Sequence, residues 1–274
     1  MHDHTWGTVA IRAAGAVRRL RLTRPAERNA ISKQMGEELL LALETLTADA
    51  DARVVVLEGE GRSFCAGADI AEMRASGSAT FAQNLADAER LAEVFRTLDA
   101  LPRPTIARIH GHCLGGGVGL IACCDVAIAS EETVFAFSET RLGIVPAVIS
   151  PYSLRRIGPS HARRYFLSGE RFDAVEARRI GLISQSCGIE ELDGAVVQVV
   201  EEMLAAGPEA QARIKRMIRE SANQTWEEYR RSTPQQIAEA RQSEEGQAGL
   251  SAFRDKVPPP WVPRPEPLTP GDSR

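Results

Sequence analysis

The chain has 274 residues, with 33 lysines and arginines against 37 aspartates and glutamates and a formal net charge of −4. That length suits one large domain, or one domain with a helical appendage, and is ample for a buried core. Lysine occurs only at Lys33, Lys215 and Lys256 and the arginines are interspersed with acids, which argues against a nucleic-acid partner. No apolar run reaches membrane-spanning length and Met1-His2-Asp3-His4-Thr5-Trp6 lacks a basic-then-apolar leader pattern, so no membrane partner and a cytoplasmic location are expected.

In chain order, Val9-Ala10-Ile11 and Val17 to Leu22 alternate as an antiparallel strand pair does. Met35, Leu39, Leu43 and Leu46 then share one face of a helix from about Lys33 to Leu46. Val54 to Leu57, Thr105 to Ile109 and Asp125 to Ala129 read as strands. Between the first two, Phe81, Leu85, Ala88, Leu91, Phe95 and Leu98 mark a long amphipathic helix. This alternation predicts β-α-β crossovers with ligand loops at one edge of the strands. From about Ser160 the strand signals stop and helical patterns run to Arg254. Pro258, Pro259, Pro260, Pro263, Pro265, Pro267 and Pro270 predict an extended or disordered tail beyond Trp261. The expected division is a core over 1–195, a helical region over 196–257 and the tail over 258–274.

Two loops of small residues follow apolar strands. Ser63-Phe64-Cys65-Ala66-Gly67-Ala68-Asp69-Ile70 comes after the first, and Ile109-His110-Gly111-His112-Cys113-Leu114-Gly115-Gly116-Gly117-Val118-Gly119-Leu120 runs from the second into a helix. Glycine lets the backbone approach a ligand, and a helix N-terminus offers unsatisfied amides to negative charge. Tight packing also uses such clusters, but the pair suggests chemistry on a carbonyl. Leu120 or Ala122 stands where G-x-G-x-x-G would need its last glycine, no Walker lysine follows the glycines, and no G-x-S-x-G occurs.

With both loops read, the chain resembles the crotonase family of enoyl-CoA hydratases and isomerases from about Val9 to Trp261. Thr23-Arg24-Pro25 before Asn29-Ala30 resembles the family's first CoA-side loop, Ala66 to Ile70 its adenine-clamping and first oxyanion loop, and His110 to Leu120 its second. Glu139-Thr140-Arg141-Leu142-Gly143-Ile144-Val145-Pro146 resembles its catalytic-acid segment. Gly169 to Ala174 and Ala177 to Leu182 resemble a downstream helix. The resemblance implies an α/β crotonase (ClpP-like) ββα superhelix with a C-terminal helical trimerisation region. It also implies an acyl-CoA thioester substrate, assembly as a homotrimer or dimer of trimers, and neither metal nor cofactor apart from the substrate's own coenzyme A.

The same resemblance implies that the Ala66 and Gly116 amides hold the thioester oxygen, that Glu139 transfers the proton, and that Arg28, Ala30, Ala66, Gly67, Ala68, Asp69, Ile70, Gly116, Phe253 and Lys256 receive CoA. Family hydratases carry a second glutamate at the position that here is Gly119. The expected activity is a hydro-lyase reaction on a 2-enoyl-CoA. A single-glutamate double-bond isomerase, a related hydrolase and a CoA-binding scaffold without turnover are the alternatives. Ala147-Val148-Ile149-Ser150-Pro151-Tyr152 resembles the bacterial 3-methylglutaconyl-CoA hydratase branch. A distal carboxylate would want an arginine, with Arg155, Arg156, Arg163 and Arg164 as candidates.

Cys65, Cys113, Cys123, Cys124 and Cys187 form no C-x-x-C and no disulfide frame, and read as small buried residues. His110 and His112 lack a third ligand at metal spacing, so loop packing is expected of them.

Overall fold

The computed structural model describes residues 3–222 and 224–262. The chain opens with β1 (His4–Thr5), β2 (Val9–Ala14) and β3 (Val17–Leu22), paired antiparallel with Val9 opposite Leu22 and Ala14 opposite Val17. α1 (Lys33–Ala48) starts where the Ser32 hydroxyl accepts the Met35 N–H, and it buries Met35, Leu39, Leu43 and Leu46 as the periodicity predicts. β4 (Val54–Gly59) lies parallel to β3. α2 (Ile70–Ser76) and α3 (Phe81–Ala100) follow, the latter entered through a capping box between Thr80 and Gln83. Only Val94, Phe95 and Leu98 of α3 are buried, whereas Phe81 and Leu85 are exposed, so the first turns of its expected core stripe lie outside the core.

β5 (Thr105–Ile109), β6 (His112–Leu114), α4 (Gly116–Cys123), β7 (Val126–Ser130) and β8 (Val134–Ala136) come next. α5 (Ser150–Ser168) is bent at Gly158-Pro159, where Gly158 has φ of +68°. α6 (Ala174–Arg179), β9 (Gln185–Cys187) and α7 (Leu192–Ala205) complete this part of the chain. The main sheet has seven strands in the order β1-β2-β3-β4-β5-β7-β9, parallel from β3 onward, and β6 and β8 form a second parallel pair. β9 corrects the expectation that strands end near Ser160. It is three residues long, two of them polar, and is held by pairing with β7 rather than by any apolar pattern of its own.

The chain divides into two compact units at Val200 and Glu201, a boundary inside α7 that falls after the expected residue 195. Leu192, Val196 and Val200 are buried, so the first half of α7 belongs to the first unit. The second unit contains α8 (Pro208–Ser221), α9 (Trp226–Gln242) and α10 (Glu244–Asp255). Pro258 to Pro260 lie outside any helix, while Pro263, Pro265, Pro267 and Pro270 of the expected tail lie outside the described residues. Among the described residues no helix is long and apolar enough to cross a membrane.

Candidate functional site

The site lies where parallel strands β4 and β5 release their loops, the sheet edge at which α/β folds bind ligands. The two loops run side by side. Phe64 N–H donates to His110 O, Cys65 N–H to His112 O and Leu114 N–H to Cys65 O, all within 2.8–3.0 Å. A third loop is clamped to them by Asn29, a buried residue with φ of +56° whose side-chain amide donates to Glu60 O and Ser63 O at 2.8 Å. Gly111 admits this approach, since a Cβ there would lie 2.0 Å from Arg62 O.

Backbone direction decides which amides the loops present. Ala66 N–H donates to Arg28 O at 2.9 Å, so the first expected oxyanion donor is already committed to an acceptor inside the fold. Gly67 then takes φ of +98° and turns the backbone over. Beyond it Ile31 N–H donates to Gly67 O and Asp69 N–H to Ile31 O, which leaves the Ala68 N–H facing the other way. Neither Ala68 N–H nor Gly116 N–H has an acceptor among the described residues. Both residues line one cavity of about 370 Å³, and the Gly116 amide stands in the first turn of α4, at the positive end of that helix. The pair of free amides is therefore Ala68 and Gly116.

Glu139 lines the same cavity from a 3-10 turn, Ser138–Leu142, that ends at Gly143 with φ of +74°. A Cβ on Gly115 would lie 3.1 Å from Glu139 Oε1, so glycine at 115, with φ of +48°, gives the carboxyl its seat. Glu139 Oε2 is buried without a hydrogen-bond partner, and burial pushes the carboxyl above its usual range. The other walls are Ile31, Leu114, Met73, Leu91 and the run Leu142 to Ile149, of which only Gly143 is not part of the lining. Glu139 and Arg141 are the ionisable residues among those that line it. The carboxyl is thus held in a mostly apolar chamber that it shares with two free amides.

Of the other expected contacts, Ile70 lines the cavity and Ala68 and Asp69 line a neighbouring one of about 260 Å³. Asp69 is engaged within the fold. It pairs with Arg24 at 3.0 Å, accepts from the Ala71 and Glu72 amides at the start of α2, and the Arg24 hydrogen bond holds its carboxyl low. Arg28 is exposed in a left-handed conformation, and Ala30 O accepts from Arg24. Phe253 and Lys256 belong to the second unit, where Phe253 is exposed and Lys256 caps α10 with φ of +55°.

None of the four arginines proposed for a distal carboxylate lines the cavity. Arg155 pairs with Asp99 and stacks on Tyr152. Arg156 donates to the backbone oxygens of Ala122, Cys124 and Asp125, Arg163 is exposed, and Arg164 pairs with Glu170. The arginine in the wall is Arg141, whose Nε donates to Gly169 O at 3.0 Å. The cysteines are free and buried, with the Cys65 thiol pushed up to about 12 by burial. His110 Nε2 meets Gly61 O and His112 Nδ1 meets Ser63 Oγ, and no metal-binding cluster occurs among the described residues.

Comparison with known proteins places the chain in a family. Residues 12–264 match the family model for enoyl-CoA hydratase/isomerase. A probable enoyl-CoA hydratase of Bacillus subtilis is 32% identical over 237 residues, covering 84% of this chain and 90% of the relative. A solved enoyl-CoA hydratase structure from Shewanella pealeana superposes with a TM-score of 0.89 at 37% identity, covering 93% of this chain and 96% of the other. Pseudomonas aeruginosa AtuE superposes with a TM-score of 0.90 at 34% identity, covering 93% and 100%.

Proposed function

From the premise that the chain belongs to the enoyl-CoA hydratase/isomerase family, and so acts on an acyl-CoA thioester, we propose that it hydrates a 2-enoyl-CoA with Glu139 as its only proton carrier. The observation that carries this reading is the Glu139 carboxyl, buried at an unpartnered Oε2, in one cavity with the free amides of Ala68 and Gly116. The thioester oxygen accepts from those two amides, and each preorganised donor is worth about 2.7–4 kcal/mol toward the enolate. Ionised Glu139 takes a proton from water as the water oxygen bonds to C3 and the C2=C3 electrons move onto the thioester oxygen. The enolate then collapses and takes that proton from Glu139 at C2. One carboxyl handles both transfers, so hydroxyl and hydrogen add to the same face, and dehydration is the reverse.

The finer substrate reading is a branched, dicarboxylic acyl group of the 3-methylglutaconyl kind. It is supported by the resemblance of the Ala147–Tyr152 segment, three residues of which line the cavity, and by Arg141 in the wall. Assembly as a homotrimer or dimer of trimers, CoA contacts from Arg28, Phe253 and Lys256, and a cytoplasmic location belong to the same proposal. Exposed Leu250, Phe253 and Val257 supply apolar surface for self-association. Double-bond isomerisation is the second reading, favoured by the absence of a carboxylate at Gly119. The test is Glu139→Gln: hydration should fall about 10²–10⁴-fold with product CoA-thioester binding retained, whereas near-normal turnover would refute the assignment.

A further inference from the structure

Gly119 lies on the second turn of α4 and is itself buried. A Cβ there would stand 2.3 Å from Ile149 Cγ2, 3.0 Å from Ile149 Cβ and 2.9 Å from Phe95 Cε1. Any side chain there must push aside hydrocarbon that already fills the place. Ile149 is 3% exposed and also lines the cavity that contains Glu139. Its backbone is fixed as the residue entering α5, with its carbonyl accepting from Ser153 N–H at 3.0 Å. The glycine on α4 thus makes room for the isoleucine before α5, whose side chain packs between Gly119, Phe95 of α3 and the cavity.

We propose that Ile149 is a positioning residue, which confines the reacting water to Glu139 by closing part of their shared cavity with hydrocarbon. The inference rests on Glu139 as the proton carrier. Water in an apolar chamber needs polar partners to stay ordered. Apart from Glu139 itself, the 3-10 turn contributes Arg141 as its one ionisable residue in the wall and Ser138 as a polar one. The lining residues from the Ala66–Met73 stretch, α3, α4 and the segment entering α5 contribute none. The same wall keeps the carboxyl dry, in line with the upward displacement that burial gives it.

The test compares Ile149→Ala and Ile149→Val with the unaltered protein in crotonyl-CoA hydration across pH, with thermal unfolding measured in parallel. Ile149→Ala should lower kcat about tenfold or more with KM changed little, because a loosened water loses its near-attack geometry. The acid limb of kcat/KM should also move to lower pH as water enters and solvates the carboxylate. Ile149→Val should restore most of both. A folded Ile149→Ala protein with unaltered kcat and acid limb overturns the proposal, and so does a loss of thermal stability alone. If Ile149→Ala does not fold, Gly119→Ala serves instead: it must displace Ile149 and should lower kcat, whereas an unchanged rate and profile overturn the proposal. Turnover surviving in Glu139→Gln would instead overturn the underlying assignment.

Discussion

Gly115→Ala tests the seat of the catalytic carboxyl with the smallest available change. Gly115 has φ of +48° and ψ of −116°, a region in which a side chain is strained by about 1–3 kcal/mol. Its Cβ would lie 3.1 Å from Glu139 Oε1 and 3.5 Å from Ser138 Oγ, so Glu139 must move by a few tenths of an ångström. A misplacement near 1 Å costs about 10²-fold, and the variant also disturbs the residue before the Gly116 amide. The expected result is a kcat lower by about 3- to 10-fold, as a rough figure scaled from that cost with the disturbed Gly116 amide added, with Tm lowered by about 2–12 °C. Gly194→Ala is the control. A Cβ there meets nothing within 4 Å on α7, so activity should be unchanged and stability slightly raised. The assay is loss of the enoyl-thioester absorbance with crotonyl-CoA. A folded Gly115→Ala protein with wild-type kcat would refute the reasoning.

Glu139 also predicts a stability effect. Its carboxyl is raised in the folded state, so its favourable contribution is complete below the unfolded value and is lost as pH climbs through the folded one. Glu139→Gln should therefore unfold at a higher temperature than wild type at neutral pH, with the difference vanishing in acid; equal or lower stability at neutral pH would contradict the assigned burial. At the far end of the sheet, Arg18 and Asp49 form a buried ion pair at 2.6 Å. Burial alone would raise the Asp49 carboxyl, but hydrogen bonds from Arg18 and the Asp51 amide, with the Arg18 charge, hold it low. Arg18→Met should cost about 3–5 kcal/mol in urea unfolding at neutral pH, because Asp49 is left buried and unpaired. The loss should shrink as pH falls through the Asp49 range. Native protein should react little with thiol reagents at Cys65 and Cys113, both buried and raised by that burial, and Cys65→Ala should keep its activity.

Much of this arrangement was legible in the residues themselves. Apolar periodicity placed the β2–β3 pair, α1 and the strands β4, β5 and β7, and the two small-residue loops pointed to the sheet edge where Glu139, Ala68 and Gly116 meet. Short elements such as β6, β8 and β9 have no periodicity to read, since three residues are held by their partners alone. The choice between Ala66 and Ala68 turned on one dihedral angle. Gly67 could signal a left-handed residue, but only the pairing of Ile31 with Ala68 shows which amide the reversal frees. Ile149 and Arg141 were hidden for a related reason, since their roles depend on contacts with Gly119 and Gly169 that lie far away in the chain.

The most direct measurement is incubation of the purified protein with crotonyl-CoA and with 3-methylglutaconyl-CoA in deuterated water, followed by mass spectrometry and proton NMR of the acyl products. One-carboxyl hydration predicts addition of the elements of water with a single deuteron at C2, on the same face as the new hydroxyl. Deuterium exchange or a shifted double bond without added water would contradict it and make Glu139 the proton shuttle of an isomerase.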